Sequence, residues 1–187
     1  MRVLVGCECS GVVRRAFRAC GHDAWSCDLV DGDGGEHLRC DVRTVLDDGW
    51  DLAIFHPPCT FLASSGARWW RDRRADQWAA IAFVRELMAA PIPRIAIENP
   101  IGRLSTAIRR PDQIVQPWQY GHGEVKATCL WLRGLPPLVP TNIVAGREAR
   151  IHRMSPSRSR SRDRSRTYPG IAAAMASQWG SKQALYG

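Results

Sequence analysis

The sequence lacks any long hydrophobic run. No stretch reaches the roughly 18 uncharged apolar residues that a membrane-spanning helix needs. The N-terminal residues also turn polar after a few apolar positions, which is not the pattern of a secretory signal peptide. We therefore expect a soluble protein that stays inside the cell.

The cysteine content does not indicate a disulfide framework. Seven cysteines are an odd number, and they are scattered through 187 residues, a length that can bury a core without cross-links. We therefore expect thiols in a reducing cytosol. Cys7, Cys9, Cys20, His22 and Cys27 are also spaced unlike the paired cysteines of structural zinc sites, so we do not expect a metal.

The chain has no internal repeat, and its length and composition fit one globular domain over residues 1–187, with 45% hydrophobic and 24% charged residues. Its only low-complexity segment is SPSRSRSRDRSR, at 155–166. This segment is too polar and repetitive to bury a face, so we expect a loop or flexible arm there.

Charge is distributed unevenly along the chain. Residues 147–166 contain eight arginines and two acids, a net +6, whereas residues 23–51 contain nine acids and two arginines, a net −7. A compact basic segment suits a polyanion such as nucleic acid, because phosphates contribute a large share of binding affinity. The alternative is a solvated surface loop with no ligand.

Short apolar runs alternate with segments of helical periodicity, which predicts a mostly parallel sheet with helices on both faces. The predicted strands lie at 2–6, 23–28, 38–42, 51–55 and 94–98, with further strands at 113–116 and 128–132. The predicted helices lie at 12–20, 76–90 and 169–180. Trp78, Ile81, Ala82 and Leu87 form the expected inner side of the second helix. In the last helix, Pro169 suits the first turn, and alanines at 172–174 and 176 suit close packing.

Small and acidic residues follow the first two strands. Ligands of an open parallel sheet bind beyond the carboxyl ends of its strands, where small residues let a ligand approach the backbone. Asp28 ends the second strand, and an acid at that point is a common partner for ribose hydroxyls. The pattern indicates a nucleoside-containing cofactor. The dinucleotide fingerprint G-x-G-x-x-G is absent, so Gly6 and Gly11 alone are equally typical of ordinary turns.

Cys59 and the pair Glu98-Asn99 follow two neighbouring strands. Pro57 and Pro58 stiffen the turn before Cys59, whereas a lone cysteine is more often an inert core residue. Together these side chains can activate a pyrimidine: the thiolate adds to C6, the carboxyl group assists at N3, and C5 becomes nucleophilic. The thiol must be deprotonated to react, and we expect nearby arginines or His56 to favour that state.

The order Pro57-Pro58-Cys59 followed 39 positions later by Glu98-Asn99 resembles the central catalytic motifs of DNA cytosine-5 methyltransferases. The resemblance implies a Rossmann-like fold of the class I S-adenosylmethionine-dependent methyltransferases. It also implies that Cys59 is the nucleophile, that Glu98 contacts N3 of cytosine, and that Asn99 supports it.

The same resemblance implies an S-adenosylmethionine site. Asp28 would contact the ribose, Asp41 and Val42 the adenine, and Pro57 the reactive end, while the C-terminal helix start at 168–172 would close the pocket. The implied cofactor residues are Gly6, Cys7, Glu8, Ser10, Gly11, Asp28, Asp41, Val42, Pro57, Gly170 and Ile171.

With the segments at 117–123 and 130–136, most of the chain resembles a compact class from phages and prophages described as cytosine methyltransferase-like. This implies the cytoplasm of a bacterial or phage-infected cell. The first motif departs from the family, as do Thr60 and Pro100. About 35 residues between Leu132 and Tyr168 are too few for a target-recognition domain. Sequence specificity is therefore expected to be low or to come from a separate partner.

Arginines and tryptophans near the cysteine loop and in the basic segment are candidates for contacts with a flipped base and its phosphates. The family's spaced-arginine motif has no clear copy, although Lys126 lies where that motif would fall. The Trp69-Trp70 pair has the alternative role of anchoring the helix that follows. The nucleic-acid candidates are Arg68, Trp69, Arg71, Lys126, Arg158, Arg160, Arg162, Arg164 and Arg166.

These observations predict methyl transfer from S-adenosylmethionine to C5 of cytosine in DNA through a covalent Cys59 adduct. The first alternative is the same chemistry on a free cytidine nucleotide or on RNA, which the missing recognition domain favours. The second alternative is a non-catalytic DNA-binding relative. DNA is the expected partner, and no membrane or metal is expected.

Overall fold

A seven-stranded sheet organises the residues that the computed structural model describes, which are 1–155 and 160–181. The strands run in the spatial order β3-β2-β1-β4-β5-β7-β6. The first five strands are parallel to one another, whereas β7 is antiparallel to both β5 and β6. Their bounds are Arg2–Gly6 (β1), Asp23–Asp28 (β2), His37–Arg39 (β3), Leu52–Phe55 (β4), Arg94–Pro100 (β5), Gln113–Val115 (β6) and Thr128–Arg133 (β7).

The central strands are continuous apolar runs because helices cover both faces of the sheet. Successive side chains of a strand point to opposite faces. In β1, Val3 and Val5 enter one core cluster, and Leu4 enters the other. In β4, Ile54 and Phe55 divide in the same way. The structure is therefore α/β with a mostly parallel sheet, compatible with a Rossmann-like fold.

The helices divide between the two faces. The first and last helices, α1 and α6, pack against each other on the face of Val3, and α2 contributes to the core on the face of Leu4. The described α-helices are Val12–Ala19 (α1), Arg74–Ala89 (α2), Leu104–Ala107 (α3), Arg150–Arg153 (α4), Arg160–Ser165 (α5) and Pro169–Trp179 (α6). Short 3₁₀ turns lie at Val42–Val45, Ser64–Trp69 and Pro117–Gln119. Among these helices, none is long and apolar enough to cross a membrane.

Two strand predictions needed correction. The third strand ends at Arg39 rather than at 42, because the Asp41 carboxylate accepts a hydrogen bond from the Arg43 N–H and starts a 3₁₀ turn at Val42. The fifth strand continues through Asn99 to Pro100, because β7 pairs with it along that length.

Three further predictions were wrong in part. Trp78 and Ala82 of α2 are exposed, because the buried side of that helix is Ile81, Val84 and Leu87. The basic segment is not entirely a loop, because α4 and α5 form within it. Ala173 of α6 is exposed as well, while Ala172, Ala174 and Ala176 are buried as expected.

Candidate active site

A cavity of about 1010 Å³ opens at the carboxyl ends of β1, β4 and β5. The direction of strand succession reverses between β1 and β4, and such a switch point is where ligands bind in doubly wound sheets. The cavity brings together the predicted catalytic residues Cys59, Glu98 and Asn99. It also contains Glu8 and Asp28, which were predicted to bind the cofactor. One cavity therefore contains residues from both predicted sites.

The turn after β1 forms one wall. Cys7 has φ of 58°, a left-handed conformation that is uncommon for a residue other than glycine. Oε1 of the buried Glu8 accepts hydrogen bonds from the Ser10 hydroxyl at 2.9 Å and from the Val13 N–H at 3.1 Å, which ties it to the start of α1. Within the described residues, Oε2 of Glu8 is buried without a hydrogen-bond partner. Within the described residues, Glu8 therefore uses one of its two carboxylate oxygens for hydrogen bonds.

A buried arginine holds the loop that follows β2. The Arg14 guanidinium donates to the Ser26 hydroxyl at 2.9 Å and to the carbonyl oxygens of Glu36, at 3.1 Å, and Gly34. The Asp33 N–H donates to the Cys9 carbonyl at 2.8 Å. These contacts fix the chain beside Asp28, whose side chain lines the cavity.

The predicted cofactor residues divide into two groups. Five line the cavity: Cys7, Glu8, Ser10, Asp28 and Pro57. The other six, Gly6, Gly11, Asp41, Val42, Gly170 and Ile171, do not line it.

Local packing accounts for the positions of those six residues. A Cβ at Gly6 would collide with the Phe55 ring, and a Cβ at Gly170 would overlap the Tyr120 carbonyl oxygen. Gly11 precedes α1 with φ of 62°. Ile171 is a residue of α6, and its side chain lies in the core on one face of the sheet. Val42 lies in the core on the opposite face. The Asp41 carboxylate accepts a hydrogen bond from Arg43.

The turn that carries Cys59 is attached to β5. The Asn99 amide nitrogen donates to the Pro57 carbonyl at 2.9 Å, so this amide holds the turn before Cys59, whereas the sequence predicted that it supports Glu98. Beyond Cys59, the Ser64 N–H donates to the Ile101 carbonyl at 3.0 Å, and the Arg103 N–H donates to the Leu62 carbonyl at 2.7 Å. The cysteine loop and the end of β5 therefore form one connected unit.

The electrostatics of Cys59 differ from the expectation. Burial of the thiol and the negative charge of Glu98 raise its pKa above the ordinary value, while Lys126 and Arg164 oppose them only in part. His56 is not one of the charged groups that shift the pKa of this thiol. These effects together favour the protonated thiol, and among the groups that the sequence predicted to favour the thiolate, Arg164 acts in that direction.

His56 and Glu98 form a buried pair that the sequence analysis missed. Nδ1 of His56 lies 2.7 Å from Oε2 of Glu98, and the two side chains are 9% and 11% exposed. Burial alone would lower the pKa of His56, but the hydrogen bond and charge of Glu98 raise it. Burial alone would raise the pKa of Glu98, but His56 lowers it. Strand register contained the signal, because Phe55 pairs with Ile97 and thus places the next residues side by side.

A basic wall completes the cavity. Lys126, Arg164 and Arg166 line it, and the Lys126 ammonium donates to the Arg166 carbonyl at 3.1 Å. The Arg166 guanidinium forms an ion pair with Asp33 at 2.7 Å. The loop after β2 and the end of the basic segment are thereby joined.

Two other nucleic-acid candidates whose side chains the structure describes do not line the cavity. Arg68 and Arg71 are exposed beyond the cysteine loop. Arg158 lies outside the described residues, as do the side chains of Trp69, Arg160 and Arg162.

No protein-family model and no curated protein matches the chain. Across residues 1–155 and 160–181, no group of three or more His, Cys, Asp or Glu side chains is placed to hold a metal ion.

Proposed function

We propose that this protein transfers a methyl group from S-adenosylmethionine to C5 of cytosine in DNA, through a covalent bond between Cys59 and C6. The observation that carries the proposal is the meeting of Cys59, Glu98 and Asn99 in one cavity with Glu8 and Asp28. The cavity lies at the upper end of the roughly 300–1,000 Å³ range of small-molecule sites, so it has room for a cofactor and a base.

The wall formed by β1 and β2 fits S-adenosylmethionine. The unpartnered Oε2 of Glu8 suits the cofactor's ammonium group, because a buried carboxylate oxygen needs a cationic or N–H partner. Asp28 stands at the end of β2, where an acid accepts hydrogen bonds from ribose hydroxyls. When bound, the cofactor supplies an electrophilic methyl group.

The β4–β5 wall supplies the groups that act on the base. Sγ of Cys59, once deprotonated, bonds to C6, and the electron pair of the C5–C6 double bond makes C5 nucleophilic. Glu98 stabilises the developing charge at N3 by a hydrogen bond or proton. Asn99 holds the Pro57 carbonyl, which fixes the turn before Cys59. Once C5 carries the methyl group, loss of its proton to water restores the C5–C6 double bond and frees the Cys59 thiolate.

The basic wall supports a polyanionic substrate. Lys126, Arg164 and Arg166 stand beside the residues that would act on the base, where phosphates of a flipped nucleotide would lie. A free cytidine nucleotide would use fewer of these cations. DNA is therefore the substrate that we propose.

The test is incubation of the protein with methyl-labelled S-adenosylmethionine and, separately, duplex DNA, single-stranded DNA, RNA and dCMP, followed by nucleoside analysis. We expect label in 5-methylcytosine from DNA. Label only in dCMP or RNA would overturn the DNA assignment and favour the same chemistry on another substrate. Cofactor binding without label in any substrate would favour a non-catalytic DNA-binding relative.

A further inference from the structure

The His56–Glu98 pair is unusual because both partners are ionisable and almost fully covered. His56 occupies one carboxylate oxygen of Glu98, namely Oε2, and leaves Oε1 as the oxygen available to a ligand. Both side chains line the cavity next to Cys59. In the described part of the chain, Nε2 of His56 is buried and has no hydrogen-bond partner. His56 can therefore influence a ligand through its hydrogen bond to Glu98.

The titratable groups around the pair come from three places: the turn after β1, the loop after β4 and the region at the start of β7. Glu8, after β1, acts on His56 and stabilises its protonated form. Lys126, before β7, opposes the protonation of His56 and favours the ionised form of Glu98. The thiols of Cys59 and Cys129 also stand near Glu98, and the pKa of each is raised in part by the charge of that carboxylate. These surroundings favour a protonated imidazole beside an ionised carboxylate.

We propose that His56 is a positioning residue and that the His56–Glu98 pair stores the one proton which N3 of cytosine receives when Cys59 adds to C6. This inference rests on the proposed function, because it assigns the source of a proton in that reaction. The proton is counted relative to a neutral imidazole and a carboxylate. His56 acts through Glu98 and does not contact the base itself.

The proton and electron balance is as follows for the addition step. The Cys59 thiol first loses its proton to water. The bond from Sγ to C6 then forms as the C5–C6 double bond opens, and the electron pair spreads over C5, C4 and N3. N3 takes a proton through the Glu98 carboxyl group, so the pair changes from one stored proton to none. His56 is then neutral and Glu98 is ionised. When Sγ leaves C6, N3 returns the proton to the pair.

The first arm of the test needs neither substrate nor cofactor. The histidine ring nitrogens of the full chain are followed by ¹⁵N NMR across pH in the wild type, in Glu98→Gln and in the control Glu86→Gln, an exposed carboxylate far along α2. We expect His56 to titrate above 6.5, and its pKa to fall by about one unit or more only in Glu98→Gln, because an opposite charge is removed. A neutral His56 ring near pH 6, or equal values in all three proteins, would overturn the inference.

The second arm uses the reaction. His56→Asn keeps an N–H donor but cannot hold a second proton, so we expect methyl transfer to fall about 100-fold, a typical loss for acid–base assistance. The high-pH decline of the rate should move to another pH, while cofactor affinity stays unchanged. A uniform fall with the same pH profile would show a structural role and overturn the inference.

The two arms separate the failure of each proposal. If the wild type transfers no methyl group to any nucleic acid or nucleotide, the proposed function and the delivery of a proton to N3 both fail. The NMR titration then still decides whether the pair stores a proton. If the wild type is active but His56 is neutral near pH 6, the inference alone fails.

Discussion

At the scale of single residues, Glu98 has two opposing effects. Its charge raises the pKa of the Cys59 thiol and thus favours the protonated form of the proposed nucleophile. In the proposed reaction, the same carboxyl group acts at N3 of the base. In the proposed reaction, the base takes a proton from the His56–Glu98 pair, and Glu98 remains negatively charged beside Cys59. The positive charges of Lys126 and Arg164 must therefore favour the thiolate during addition.

Replacement of the nucleophile is the first prediction. We expect Cys59→Ser to lose methyl transfer by about 1,000-fold or more, because a serine hydroxyl without an adjacent base is a far weaker nucleophile than a thiolate. Cofactor affinity should persist, since Glu8 and Asp28 lie on other strand ends. The measurement is the covalent complex with DNA that contains 5-fluorocytosine, seen on a denaturing gel. The exposed Cys20→Ser is the control, and substantial activity in Cys59→Ser would refute the covalent mechanism.

The pH dependence of stability is the second prediction. The pKa of His56 is raised on folding, so its contribution is complete below the unfolded value of about 6.5 and is lost as pH rises through the folded value. The pKa of Glu98 is lowered, so its contribution is present above about 4.5 and is lost as pH falls through the folded value. Both contributions are complete between the two unfolded values, about pH 4.5 and about pH 6.5. The free energy of unfolding of His56→Asn should therefore fall furthest below that of the wild type in this pH range.

The size of that difference should be about 3–5 kcal/mol, the usual cost of leaving one partner of a buried ion pair alone. Urea unfolding at a series of pH values measures it. A difference that stays constant from acid to alkaline pH would mean that the pair is not ionised in the folded state.

At the scale of elements, the cysteine loop depends on the chain that follows β5. Ala63 and Gly102 form an isolated antiparallel bridge, and a Cβ at Gly102 would overlap the Leu62 carbonyl oxygen. The third prediction is that Gly102→Ala separates the two segments, lowers stability by about 1–3 kcal/mol and lowers methyl transfer by about 10- to 100-fold.

The control for this prediction lies in the same loop. A Cβ at Gly66 would meet the Thr60 carbonyl oxygen at 3.5 Å, an ordinary van der Waals contact. Gly66→Ala should therefore leave both stability and rate near the wild-type values. Thermal unfolding and the labelled-methyl assay measure the two variants, and equal behaviour of both would show that the bridge does not position Cys59.

The central strands could be predicted because they are buried on both faces and thus read as unbroken apolar runs, as in β1 and β4. The outer side of α2 could not be predicted in the same way. Trp78 fits the helical period of Ile81 but lies before the part of the helix that reaches the sheet, and it is 60% exposed. The pairing of Asn99 with β7 was also hidden, because it depends on a contact between distant segments.

In the candidate site, too, some features could be predicted from the sequence and others depended on contacts between distant segments. Cys59, Glu98 and Asn99 were expected to meet because parallel strands end at one edge of the sheet. The link between His56 and Glu98 was missed, since it depends on the register of β4 against β5 and not on any local pattern. Family resemblance alone placed Ile171 near a cofactor, whereas the helix geometry turns this side chain into the core.

At the scale of the whole molecule, the acidic and basic segments meet at the cavity. The ion pair between Asp33 and Arg166 joins the loop after β2 to the end of the basic segment. Lys126 reaches the same point by donating to the Arg166 carbonyl. The unequal charge distribution of the chain therefore becomes a cavity with Glu8 and Asp28 on one side and Lys126, Arg164 and Arg166 on another.

The last prediction concerns DNA binding. Such binding should weaken as the salt concentration rises, because each phosphate contact releases counterions. Replacement of both Arg164 and Arg166 by glutamine should weaken binding and lower the slope of log K against log salt concentration by up to about two. The control replaces Arg39 and Arg110, which are exposed and do not line the cavity, and so removes the same net charge. Fluorescence anisotropy with one duplex at several salt concentrations measures both variants. Equal losses would mean that overall charge governs binding, whereas a loss confined to the Arg164 and Arg166 variant requires that DNA phosphates lie against the basic wall beside Cys59.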